Sequence, residues 1–174
     1  MEIDSAIQLI INGVDKNAGA QAWADLGAGS GLFSQALSAI LPDASTIYAI
    51  DKSYKAGQSI KTLNAANKIL LSKKDFVSSS LDIPVCDGLL MANSLHFVED
   101  KLTLLQKIRR NLQPAGRIII VEYDTDQSNR WVPFPVSCKN LHKLITAGKL
   151  GSLQKLAEQT SLYQTGGMYS ALIV

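Results

Sequence analysis

The chain has 174 residues, 47% of them hydrophobic and 18% charged, and carries a formal net charge of +2. That length suits one domain with a sizeable core, and the apolar content, with only 5 Pro and 12 Gly, argues against disorder. Runs such as Ile118-Ile119-Ile120-Val121 fall far short of the ~18–20 apolar residues that span a bilayer. Met1-Glu2-Ile3-Asp4 lacks the basic start of a secretory signal, and Cys86 and Cys138 make no disulfide framework. A reducing cytoplasm is the expected setting. Residues 1–100 carry 11 acidic and 7 basic side chains, whereas 101–174 carry 4 and 10. The cations are scattered, Arg109-Arg110 being the densest pair, and do not form the stripe that releases counterions from nucleic acid.

In chain order, Ser5 to about Asn12 is expected to be helical, with Ile7, Ile10 and Ile11 near helical spacing. Ala22–Leu26 is a short buried strand running into Gly27-Ala28-Gly29-Ser30-Gly31, and Leu32–Leu41 is a helix ended by Pro42. Thr46–Ile50 is the second strand, residues 54–66 the next helix, and Ile69-Leu70-Leu71 a weaker third strand. Gly88–Ala92 reads as the fourth strand. Asp100 caps a helix with Leu102, Leu105, Ile108 and Leu112 on one stripe. A turn at Gln113-Pro114-Ala115-Gly116 leads to the fifth strand, Ile118–Val121. After an irregular stretch at 124–137, helices around 138–147 and 152–160 precede a closing strand, Tyr169–Val174. Continuous apolar strands separated by helices imply an α/β, doubly wound, mostly parallel sheet with helices on both faces, in a single domain.

Chemistry concentrates at Asp25-Leu26-Gly27-Ala28-Gly29-Ser30-Gly31. Glycines between a strand and a helix let a ligand approach the backbone, outside the carboxyl ends of the strands where open α/β sheets bind. The dinucleotide fingerprint needs glycine where Leu32 stands, and the phosphate loop fails at the same residue. Asp25 would repel a pyrophosphate and favour a cationic ligand. Twenty residues past Gly31, Asp51 ends the second strand, where a carboxylate can accept from both hydroxyls of a ribose. Asp75-Phe76 follows the third strand and offers an acid for an adenine amino group and a face for its ring.

On these residues the chain resembles a class I S-adenosylmethionine-dependent methyltransferase over roughly residues 20–122. Cys86–Phe97 resembles that family's fourth strand, and Leu112–Glu122 its "Leu-x-Pro-Gly-Gly" turn into strand five, with Ala115 replacing the first glycine. The resemblance implies a seven-stranded sheet with the last strand antiparallel. It also implies S-adenosylmethionine as cofactor, with S-adenosylhomocysteine as product. By it, Asp25, Gly27, Ala28, Gly29 and Gly31 would hold the methionine portion, Asp51 the ribose hydroxyls, and Asp75 and Phe76 the adenine, with Lys52 a further cofactor-binding residue. Asn93 would offer its carbonyl to the methionine amino group.

Methyl transfer from a sulfonium needs chiefly alignment and desolvation. If a base is required, His96, just past strand four, is the candidate. Glu122 and Tyr123 at the end of strand five, with Trp131 and Phe134 in the following loop, are candidate substrate contacts. Tyr48-x-x-x-Lys52 straddles a strand end and is no reductase dyad, and Cys138-x-x-x-His142 does not complete a metal site. Little of the chain lies outside the core fold, so the expected acceptor is a small molecule. A non-catalytic cofactor-binding module and a nicotinamide oxidoreductase are the competing readings, the latter disfavoured by Leu32.

Overall fold

Strands β1 (Ala22–Leu26), β2 (Thr46–Ile50), β3 (Lys68–Ser72), β4 (Cys86–Ala92), β5 (Leu112–Tyr123), β6 (Leu153–Gln159) and β7 (Met168–Ile173) form one sheet in the order β3-β2-β1-β4-β5-β7-β6. The computed structural model describes residues 1–160 and 167–174. β3, β2, β1, β4 and β5 pair in parallel, and β7 lies antiparallel between β5 and β6. The expected mostly parallel sheet is therefore present, closed by an antiparallel strand.

Period-two alternation splits the apolar side chains into two cores. On one face Leu89, Met91, Ile118 and Ile120 meet α3 (Lys101–Ile108) through Leu104, Leu105 and Ile108, and α4 (Cys138–Ala147) through Leu141 and Ile145. On the other face Trp23, Leu90, Ile119 and Val121 meet α1 (Ile3–Ile10) through Ala6, Leu9 and Ile10, and α2 (Leu32–Ile40) through Phe33, Ala36 and Leu37. Asp100 caps α3 as its sequence suggests, its carboxylate accepting the Thr103 N–H at 3.0 Å.

Two expected helices are absent. Residues 54–66 are irregular: Gly57 takes φ +77°, the Asn64 side chain accepts the Ala66 N–H, and the Ser38 hydroxyl accepts the Leu63 N–H. Such side-chain bonds give backbone groups the partners that a helix would otherwise supply. Only Tyr54 and Ile60 reach inward, against Ala49. Residues 152–160 hold β6 instead of a helix, because pairing with β7 outweighs the helical propensity of Leu, Gln, Lys, Ala and Glu. Leu112 likewise opens β5 rather than ending the stripe of α3, which stops at Ile108 before a turn at Arg109–Asn111. None of the helices described is long and apolar enough to cross a membrane.

Trp23 of β1 stands opposite Gly88 of β4, and its fully buried ring lies over that glycine. A Cβ at Gly88 would stand 2.4 Å from that ring. Gly88→Ala is expected to lower stability by about 1–3 kcal/mol through overpacking, read from the urea midpoint. An unchanged midpoint would show that the ring is free to move aside.

Candidate functional site

The turn after β1 works because three glycines take left-handed backbone angles: Gly27 at +81°, Gly29 at +54° and Gly31 at +91°. Its amides are tied to the next strand. Gly27 and Ala28 N–H donate to the Ile50 carbonyl at 2.8 and 3.1 Å, and Gly29 N–H donates to Asp51 Oδ2 at 2.8 Å. Asp51 Oδ1 also accepts from the Ser53 N–H and hydroxyl. Partial burial pushes the Asp51 carboxyl up, but the bonds from Ser53 and Gly29 outweigh it and hold the group below the usual carboxylate range.

Gly27, Asp51, Lys52, Asp75, Phe76 and Asn93 converge on one cleft of about 370 Å³, so six of the residues singled out in the sequence share a wall. Lys74, Val77, Ser94 and Phe97 complete it. Asp75 Oδ1 accepts the Val77 N–H at 2.9 Å, which holds its carboxyl low. Asn93 adopts φ +52°, and its Oδ1 is buried without a partner. Ser94, at the foot of the cleft, donates its hydroxyl to the Leu26 carbonyl at 2.6 Å, and a Cβ at Gly27 would stand 2.5 Å from its own Cβ. Phe97 is 60% exposed and faces the cleft from the turn after β4. Its position was not legible in the sequence, where it reads as one more residue packing a turn.

Asp25 is placed differently. Its carboxylate is 1% exposed, lies beneath the turn instead of on the cleft wall, and accepts the Ser34 hydroxyl at 2.6 Å. Burial drives its pKa up to about 7, opposed by the Ser34 bond and helped by the nearby Asp51 charge. The four turn residues expected at the methionine portion also divide: Gly27 lines the cleft, whereas Gly31 packs on Ile60.

His96 and Glu122 are both buried, and they bond each other: His96 Nδ1 lies 2.7 Å from Glu122 Oε2, and the His96 N–H donates to Oε1 at 3.1 Å. Glu122, expected at the substrate, is therefore spent on the histidine and its turn. Lys101, also buried, donates to the Val98 carbonyl at 2.7 Å and stands 5.8 Å from the Phe134 ring centre. Burial lowers its pKa, partly offset by the charges of Glu122 and Glu99. The Tyr123 ring lies 6.2 Å from His96. Trp131 is 75% exposed beside Arg130, away from the cleft wall, while the Phe134 N–H donates to the His96 carbonyl at 3.0 Å. No cluster of three or more potential metal-binding side chains occurs among the described residues.

Strand order, glycine turn and acids at successive strand ends define the class I methyltransferase architecture, and comparison with known proteins agrees. A family model described as a methyltransferase domain matches residues 24–120. The chain belongs to that family. Among solved structures, a DhpI complex with S-adenosylhomocysteine aligns at TM-score 0.68 and 19% identity, covering 99% of this chain and 85% of that one. Human N-acetylserotonin methyltransferase with S-adenosylmethionine gives 0.66 and 17%, covering 96% and 50%. An O-methyltransferase family 2 protein from Planctomyces limnophilus with apigenin gives 0.64 and 13%, covering 98% and 58%. The chain thus spans little more than half the length of the last two. No curated protein matches in sequence.

The buried Asp25 has a consequence for stability. Its pKa is about 7 in the folded chain against 3.8 for a free side chain, so its contribution is fully present below pH 3.8 and is lost as pH rises through 7. Asp25→Asn is expected to stabilise the free protein at pH 8 by up to about 4 kcal/mol, with a much smaller effect at pH 4. Urea unfolding at the two pH values measures this; equal effects at both would remove the carboxylate's ionisation as the cause.

Proposed function

We propose that this domain transfers a methyl group from S-adenosylmethionine to a small-molecule acceptor, releasing S-adenosylhomocysteine. The observation that supports it best is the convergence of Asp51, Asp75, Phe76 and Asn93 on one cleft at the edge of the glycine turn. The residues present fit the cofactor. A Cβ placed on Gly29 meets nothing nearer than the Gly27 carbonyl at 4.0 Å, so the turn has open space beside it. Asn93 Oδ1 is a buried acceptor waiting for a donor.

In this reading Asp51, with Lys52 beside it, holds the ribose hydroxyls, and Asp75 and Phe76 take the adenine amino group and ring. Gly27, Ala28, Gly29 and Asn93 bound the methionine portion, and Gly31, packed on Ile60, shapes the turn behind them. Asp25 acts from beneath, as a carboxylate whose charge is favoured by a cation above it. When bound, the cofactor supplies a methyl group already activated on a sulfonium. His96 is the base where the acceptor must lose a proton. A carboxylate acceptor at Nδ1 assigns the proton to that nitrogen and leaves Nε2 as the ring's acceptor. Glu122 thus orients His96, and Tyr123 and Phe134 are the substrate side, with Trp131 left outside it. The apigenin complex of the Planctomyces protein accords with a small acceptor. A single domain over 1–174, working in a reducing cytoplasm, accords with the two free thiols.

Calorimetry with S-adenosylhomocysteine and NAD(H) tests the cofactor: the first is expected to bind and the second not, and the reverse would overturn the reading. Asp51→Ala is expected to weaken S-adenosylhomocysteine binding by about 1–3 kcal/mol, since the ribose hydroxyls lose a charged acceptor. Unchanged affinity would remove Asp51 from the site. Incubation with methyl-labelled S-adenosylmethionine and a panel of metabolites tests transfer, and binding without any labelled product would make the domain a cofactor-binding module.

A further inference from the structure

The loop that bears Asp75, Phe76 and Val77 has no helix or strand of its own; it runs irregularly between β3 and β4. It is nevertheless held from outside. Lys107, in the last turn of α3, places its ammonium 3.2 Å from the Phe76 carbonyl, 2.7 Å from that of Val77 and 2.8 Å from that of Ser79. An ammonium has three N–H donors, and three carbonyls take them. Each bond is charge-assisted and so stronger than an ordinary amide contact. The helix behind the lysine is a firm support: it is capped by Asp100 and buries Leu104, Leu105 and Ile108. Inside the loop, Asp75 adds two bonds of its own, from the Val77 N–H to its carboxylate and from the Ser79 N–H to its carbonyl. Lys107 lies outside the lining of the cleft that holds Asp75 and Phe76 and borders the adjoining cavity with Val77, Phe97 and Phe134.

We propose that Lys107 is a positioning residue for nucleoside binding: it clamps the 76–79 carbonyls to α3 so that Asp75 and Phe76 stand ready at the cleft before ligand arrives. This rests on the cofactor reading above. With the clamp present, ordering of the loop is complete in the free protein, and binding does not bear that entropic cost. With the clamp removed, the same contacts form only after the loop is ordered, and affinity falls for any ligand that carries the adenosine end.

The test compares the wild-type chain with Lys107→Met and Lys107→Arg. Affinities for S-adenosylhomocysteine and for 5′-methylthioadenosine, which lacks the amino-acid end, are measured by calorimetry. Thermal midpoints of the free proteins and amide exchange over 76–79 are measured alongside. Expected for Lys107→Met is about tenfold weaker binding of both ligands, faster exchange at 76–79, and a midpoint within a few degrees of wild type. Lys107→Arg is expected to recover most of the affinity, because a guanidinium also donates several N–H groups to carbonyls. Binding by Lys107→Met within twofold of wild type would overturn the clamp. So would a loss that comes with a large fall in the free protein's midpoint and is not restored by arginine, since Lys107 would then be a staple of the fold. Failure of the wild-type chain to bind either ligand would instead bring down the cofactor reading itself.

Discussion

The bond from the Gly29 N–H to the Asp51 carboxylate joins the two parts on which the site depends. A glycine turn is intrinsically permissive: its residues can leave the left-handed region as easily as they enter it. Parallel pairing of β1 with β2 brings the ends of both strands to one edge, where the Ile50 carbonyl takes the Gly27 and Ala28 N–H groups and Asp51 takes Gly29. The glycines permit the turn, and its neighbour strand selects the one shape it holds. The same carboxylate stays ionised because Ser53 and Gly29 donate to it, and it remains an acceptor for further donors at the cleft.

Two carboxylates on adjacent strands then behave oppositely. Asp51 is partly exposed and hydrogen-bonded, which favours charge; Asp25 is sealed under the turn, which opposes it. Keeping an acid at Asp25 costs the free protein stability at alkaline pH, and a cation above the turn would offset that cost. Stability given up at a binding edge and regained with ligand is a common arrangement. A second buried polar set, Lys101, Glu122 and His96, gathers where β5 ends and the segment after β4 turns into α3. Its bonds go to the turn that carries Phe97 and to the loop that carries Phe134, so the cleft's second wall hangs on the polar core beneath it.

Support for the site comes from unlike sources on its several sides. β1, β2 and β4 deliver the glycine turn, Asp51 and Asn93 directly from strand ends, with positions set by the sheet ladder. The segment after β3 has no such ladder, and side chains do the work instead, Lys107 from α3 foremost. The covering of β3 is equally irregular: Tyr54 and Ile60 replace the helix that the sequence suggests.

Much of the fold was written in local pattern. Apolar runs such as Ile118–Val121, the glycines after Asp25 and the acid that closes β2 are readable because strand burial, positive φ and a charged strand end each demand a narrow set of residue types. Residues 54–66 and 152–160 were not readable: their helical composition was overruled by side-chain bonds from Asn64 and Ser38 in one case and by pairing with β7 in the other. The site divides along the same line. Asp51, Asp75 and Phe76 were singled out by their places after strands and Asn93 by the family resemblance, and the four share a cleft, whereas the burial of Asp25, the His96–Glu122 bond and the Lys107 clamp left no sequence signal. Each of those three depends on residues 9 to 31 positions apart in the chain meeting in space. Composition and spacing determined which elements exist and where ligands approach them; only packing of distant segments decided which acid is charged, which histidine nitrogen is held, and what keeps an irregular loop in place.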